Sequence, residues 1–145
     1  MKIFFSGSIR GGDSYRPSYR QILDCLKNYG ELVSEHIPAR QTAAPGKKAD
    51  DFVIYARDVQ WIREADLLVA EVSQPSIGVG YEIALAENLG IPVLALYDLR
   101  AAHPVSAMIA GNRNIALLRY ASLPELWPLL NRELARARPG DSKPV

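Results

Sequence analysis

One cysteine, Cys25, stands in 145 residues, so no internal disulfide can form and a reducing, cytoplasmic setting is expected. The 2 histidines and the single cysteine show no metal-ligand spacing, so neither a metal nor another cofactor is expected. No apolar run approaches the ~20 residues that a bilayer-spanning helix needs. The opening "MKIFFSGS" has one lysine and too short an apolar core for a secretory signal. An excess of one charge is also missing. Lys and Arg number 17 against 16 Asp and Glu, a formal net charge of +1, which argues against nucleic acid as a partner, and no membrane partner is expected either. No Gly-Lys-Ser/Thr follows the N-terminal glycine-rich stretch, which excludes a Walker A loop, and no Ser-His-Asp arrangement is present.

What is there is an ordinary globular composition, 48% hydrophobic and 23% charged, sufficient for one domain over residues 1–137. Residues 138–145, rich in proline and charge, read as a flexible tail. Short apolar runs alternate with amphipathic segments. Strands are predicted at 2–5, 31–37, 66–72, 91–97 and 115–120, and helices at 17–29, 50–65, 81–89, 104–110 and 122–136. That alternation predicts an α/β fold: a three-layer, doubly wound, five-stranded parallel sheet of flavodoxin-like order 2-1-3-4-5. In this order strands 1 and 3 are neighbours whose connections leave in opposite directions, and ligands bind beyond their carboxyl ends.

The loops that leave those two strands are "SGSIRGG" (6–12) and "SQPSIGVG" (73–80). The first offers glycine-exposed N–H groups, the Ser6 and Ser8 hydroxyls and the Arg10 guanidinium, a set suited to a phosphate. Its Gly7 and Gly12 match the outer glycines of a dinucleotide fingerprint, but Ile9 fills the middle position, where backbone must approach a pyrophosphate. The second loop contributes Ser76, Gly78 and Gly80 and leads to Glu82, placed in the first turn of the predicted helix. Asp58, in "YARDVQWI", is the second candidate carboxylate, since a glycosidic bond is well cleaved by one acid at the anomeric carbon and another at the leaving group. Glu71 lies inside the third strand, where a carboxylate usually closes a local hydrogen bond, and ranks below Glu82. His36 ends the second strand on the ligand edge, and Cys25 belongs to the apolar face of the first helix.

The stretches "FFSGSIRGG", "SEHI", "RDVQWI" and "ADLLVAEVSQPSIGVGYEIALA" together resemble the 2'-deoxynucleoside 5'-phosphate N-hydrolases, relatives of the nucleoside 2-deoxyribosyltransferases. The resemblance runs from the first strand to about residue 110. It implies cleavage of the N-glycosidic bond of a nucleoside 5'-monophosphate into free base and sugar 5-phosphate. On that analogy Glu82 matches the nucleophile and Asp58 the acid that assists departure of the base. Gly7, Ser8, Ile9, Arg10 and Gly11 match the loop around the substrate, with Ser8, Arg10, Ser76 and Gly78 on its phosphate side. His36 matches a pocket histidine. "HPVSAMI" resembles a segment that reaches the neighbouring subunit's site, so Ser106 would complete the phosphate pocket across a homodimer. Where the deoxynucleotide enzymes usually carry tyrosine this chain has Phe4, and Ser6 stands where a cysteine can occur. The "Phe-Phe-Ser-Gly-Ser" form is similar to cytidine 5'-monophosphate hydrolases, which makes CMP or hydroxymethyl-CMP the expected substrate. A 2'-deoxynucleoside 5'-monophosphate is the alternative. A deoxyribosyltransferase and a non-catalytic nucleotide sensor also stay open.

Overall fold

A computed structural model describes residues 1–8, 15–34 and 50–137. Its five strands are β1 (Lys2–Ser6), β2 (Glu31–Leu32), β3 (Leu67–Glu71), β4 (Val93–Asp98) and β5 (Ile115–Tyr120). All pair in parallel, in the order β2-β1-β3-β4-β5. The helices are α1 (Arg16–Leu26), α2 (Asp51–Glu64), α3 (Ile77–Asn88), the one-turn α4 (Ala107–Ala110) and α5 (Leu123–Ala137). Among the described residues no helix is long and apolar enough to cross a membrane. The expected architecture is therefore present, with its switch point between β1 and β3.

Alternation along the strands divides the core in two. Ile3 and Phe5 of β1, Leu67 and Val69 of β3, and Leu94 and Leu96 of β4 pack with α1 and α5. On α5, Leu126, Leu130 and Leu134 recur every four residues and are fully buried, each worth about 1.5–3 kcal/mol of transfer free energy. Phe4, Leu68, Ala70, Val93 and Ala95 face the other way and pack with Ile62 of α2 and with Val79, Ile83 and Ala86 of α3. Ser6, two residues after Phe4, shares that second face. This separation decides which side chains can meet at the carboxyl edge.

One element departs from the expected bounds, and another is described in part. Among the described residues β2 pairs with β1 through Glu31 and Leu32, while residues 35–37 of the strand expected over 31–37 lie outside the described residues. At Ser34 the hydroxyl takes over the ladder, accepting from the Phe5 N–H at 2.8 Å and donating to the Phe5 carbonyl at 3.1 Å. A side chain here satisfies both backbone groups of the neighbouring strand. The helix predicted to begin at Tyr81 begins instead at Ile77, because the Ser76 side chain caps it by accepting from the Val79 N–H at 3.3 Å. Gly78 and Gly80 thus lie within the helix rather than in a loop, and Glu82 sits in its second turn, not its first.

The α1–β2 turn explains one glycine. A Cβ on Gly30 would stand 2.1 Å from the Met1 carbonyl oxygen, the same oxygen that accepts the Glu31 N–H at 2.9 Å. No side chain fits without moving backbone away from the edge of the sheet. Gly30→Ala is expected to lower unfolding free energy by about 1–3 kcal/mol, measured as a lower urea midpoint at unchanged m-value.

Candidate active site

The carboxyl end of β1 brings Ser6 against α3. Ser6 is fully buried, and its hydroxyl donates to Glu82 Oε2 at 2.5 Å across 76 residues of sequence. Burial of Val79, Ile83 and Ala86 sets the phase of α3, so that Glu82 turns toward β1, and the Ser76 cap fixes where the helix starts. One strand end and one helix thereby fix the direction of a single carboxylate, which a hydrogen bond from a neutral donor holds without neutralising it.

Glu82 and Asp58 line the same cavity, a pocket of about 280 Å³ between α2 and α3. Val59, Ile62, Ile77, Gly78 and Leu85 supply apolar or small walls, and Tyr55 and Tyr81 stand at its side with ring centroids 6.3 Å apart in an edge arrangement. Gly78 lines the pocket, so its missing side chain is open volume at the mouth of α3. Asp58 is buried, and Arg57 Nε lies 3.4 Å from its Oδ1. The Arg57 guanidinium stacks 4.7 Å from the Trp61 ring centroid. Two carboxylates converging on one cavity with apolar walls is the arrangement a glycosidic cleavage needs: one to meet developing positive charge at carbon, the other to manage the leaving group.

Beyond Ser6 the chain turns into the first loop. A Cβ on Gly7 would stand 2.9 Å from Tyr19 Cε2, so the α1 tyrosine packs directly on the loop backbone. Its hydroxyl accepts the Ser8 N–H at 3.1 Å. The Ser8 side chain is buried, and among the described residues its Oγ has no hydrogen-bond partner. A buried hydroxyl left open in this way, at the edge where the topology expects a ligand, fits a polar group that arrives with substrate. Ile9, Arg10, Gly11 and His36 lie outside the described residues. Ser76 is spent partly on the α3 cap, while its O–H remains able to donate. Ser106 caps α4 by accepting from the Met108 N–H at 3.3 Å, is exposed, and does not line the pocket of its own chain. Phe4 is only 1% exposed and packs one layer behind the pocket with Ile62 and Val79, rather than in its wall.

Glu71 takes the other face of the sheet, as its place within β3 dictates. It is fully buried, accepts the Ser73 hydroxyl in a short hydrogen bond, and accepts the Tyr120 hydroxyl at 3.4 Å. Burial pushes its carboxyl up to about 7 against the pull of those hydrogen bonds. Burial, with Glu71 as the next cause, also raises the Tyr19 and Tyr120 phenols far above the usual tyrosine range. Cys25 is half-buried against the α1/α5 core, and burial raises its thiol. Tyr19 stands at a core position by its place on the apolar face of α1. Its one sequence signal is a hydroxyl on a helix face otherwise made of Ile22, Leu23 and Leu26.

Comparison with known proteins agrees with this architecture. A family model described as nucleoside 2-deoxyribosyltransferase matches residues 3–123. A Syntrophotalea carbinolica protein named "Putative 2'-deoxynucleoside 5'-phosphate N-hydrolase 1" is 61% identical over 93% of this chain and 95% of its own. The mouse protein named 5-hydroxymethyl-dUMP N-hydrolase is 42% identical over 75% of this chain and 64% of its own length. Among solved structures, the CMP N-glycosidase BcmB of Clostridium botulinum superposes with a TM-score of 0.64, covering 92% of this chain and 99% of that one. At 17% identity the last of these shows the fold alone. From strand order, family model and sequence identity together, the chain belongs to the nucleoside 2-deoxyribosyltransferase family.

Proposed function

We propose that this protein hydrolyses the N-glycosidic bond of a nucleoside 5'-monophosphate, releasing free base and sugar 5-phosphate. The observation that carries the reading is the convergence of Glu82 and Asp58 on one pocket at the sheet's switch point, with Glu82 aimed by Ser6. Glu82 attacks the anomeric carbon as the carbon–nitrogen bond breaks, and the bonding pair leaves with the base. Asp58 delivers the proton that neutralises that pair. Water then attacks the glycosyl ester, giving its proton to the Asp58 carboxylate, which restores both acids and yields the sugar 5-phosphate. Gly7, Ser8, Ile9, Arg10, Gly11 and Ser76 hold the phosphate, so that the anomeric carbon meets the carboxylate at high effective concentration. The open Ser8 hydroxyl supports this role and favours a phosphorylated substrate over the free nucleoside of a transferase.

Relatives named for deoxynucleotides at up to 61% identity support a 2'-deoxyribose as the sugar. Phe4 supports the second reading, a ribonucleotide such as CMP or hydroxymethyl-CMP. On the face shared by Ser6 and Glu82, phenylalanine provides no hydroxyl to oppose a 2'-OH. A homodimer is part of the proposal. Phe52, Ile77 and Met108 are 72%, 95% and 81% exposed, and Ile77 lies at the pocket itself, where a second copy bringing its Ser106 would cover apolar surface.

Four outcomes test the reading. Incubation with nucleoside mono- and deoxymonophosphates should release base without any acceptor base present, and nucleosides should react far more slowly. Glu82→Ala should lower base release by roughly three orders of magnitude or more while nucleotide binding persists, as followed by chromatography and calorimetry. Ser6→Ala, which removes one hydrogen bond that orients Glu82, should lower kcat by roughly 10- to 100-fold with little change in KM. Phe4→Tyr should move preference toward deoxyribose, read as the ratio of kcat/KM for a matched pair such as dCMP and CMP. An unchanged ratio removes Phe4 from the account of sugar choice.

A further inference from the structure

One N–H of the first loop is not open to an anion. The Ser8 N–H donates to the Tyr19 hydroxyl at 3.1 Å, and both residues are buried. The Ser8 hydroxyl, on a residue only 2% exposed, has no partner among the described residues. The backbone donor of Ser8 is therefore spent, and its side-chain donor is left over. The group that spends it is firmly seated. The Tyr19 ring lies on Gly7, where a Cβ would stand 2.9 Å from Cε2 and 3.1 Å from Cζ. It also meets Phe5 edge-on, with ring centroids 5.5 Å apart. Tyr19 belongs to the first turn of α1, and its own N–H donates to the Tyr15 carbonyl at 2.9 Å. The loop backbone at Ser8 is thus tied to a helix as well as to the end of β1.

We propose that Tyr19 is a positioning residue for the 5'-phosphate: it holds the Ser8 backbone so that the Ser8 hydroxyl, and not its N–H, meets the phosphate. The inference rests on the reading that the Ser8 edge receives a phosphate. A ring that only filled the core would need no hydroxyl, since phenylalanine packs on Gly7 and Phe5 in the same way. The tyrosine oxygen instead satisfies a buried N–H that is costly to leave unpaired. A serine hydroxyl has one proton to give, and its direction follows from the backbone that Tyr19 holds. Tyr19 acts through Ser8. Glu82 is aimed separately, by Ser6 on the other face of the sheet. Loss of the tyrosine hydroxyl therefore weakens capture of the phosphate without turning the nucleophile.

The test is steady-state kinetics of the full chain on dCMP and CMP, with deoxyribose 5-phosphate and ribose 5-phosphate as competitive inhibitors and urea unfolding as the control for folding. Tyr19→Phe should raise KM and the inhibition constant of the sugar phosphate roughly tenfold, with kcat within about twofold of wild type. Ser8→Ala should raise both constants by a similar or larger factor. Adding Tyr19→Phe to Ser8→Ala should change little further, because the tyrosine acts through that serine. If Tyr19→Phe folds poorly, Gly7→Ala replaces it. That change pushes the ring off the loop with every hydroxyl retained, and should raise the same two constants. A folded Tyr19→Phe or Gly7→Ala with unchanged KM, a loss that falls on kcat instead, or effects of Tyr19→Phe and Ser8→Ala that multiply in full overturns the role of Tyr19. The hydrolase reading then stands. Ser8→Ala with wild-type KM and wild-type sugar-phosphate inhibition overturns the phosphate reading of this edge, and the inference with it.

Discussion

The hydrogen bond from Ser6 to Glu82 joins the end of the first strand to the helix that follows the third, and the site depends on it. Only a sheet in which β1 and β3 are neighbours brings those two positions together. Burial of Val79, Ile83 and Ala86 sets the phase of α3 that turns Glu82 toward Ser6, and the Ser76 cap fixes where the helix starts. Shifting that phase by one residue would rotate the carboxylate by about 100° around the helix axis. Fold and candidate chemistry are therefore coupled through a single contact rather than through a loop that adjusts independently.

The sheet also keeps its two acids in opposite environments. Glu82 opens to a pocket of about 280 Å³, where Asp58 joins it, while Glu71 is sealed behind the sheet among Ser73, Tyr120 and the α1 tyrosines. The alternation of side chains along β1 and β3 accounts for the division. Phe4 and Ser6 face α2 and α3, and Val69 and Glu71 face α1 and α5. A group facing the pocket can exchange charge with a ligand directly.

Strand order and the switch point were legible in the sequence, since they follow from apolar runs separated by amphipathic segments. Glu82 and Asp58 were legible as residue types but not as a pair, because no spacing in one dimension says that α2 and α3 enclose a common cavity. The start of α3 was misread. Two glycines close together resemble a loop, whereas the Ser76 side chain makes a stronger helix start than their propensity cost opposes. The Ser34 hydroxyl, which stands in for backbone at Phe5, is a contact that no periodicity signals. Tyr19 follows the apolar stripe of α1 and was read as core. Its second role, accepting the Ser8 N–H, appears only once Gly7 lets the ring lie on the loop.

The claim at the centre of this account is that Glu82 forms the bond to the anomeric carbon. Peptide mass spectrometry of protein acid-quenched during turnover of dCMP or CMP tests it most directly. The account predicts a sugar 5-phosphate adduct on the peptide that carries Glu82, appearing with base release and absent from Glu82→Ala. An adduct on another residue, or base release that persists in Glu82→Ala, would contradict it.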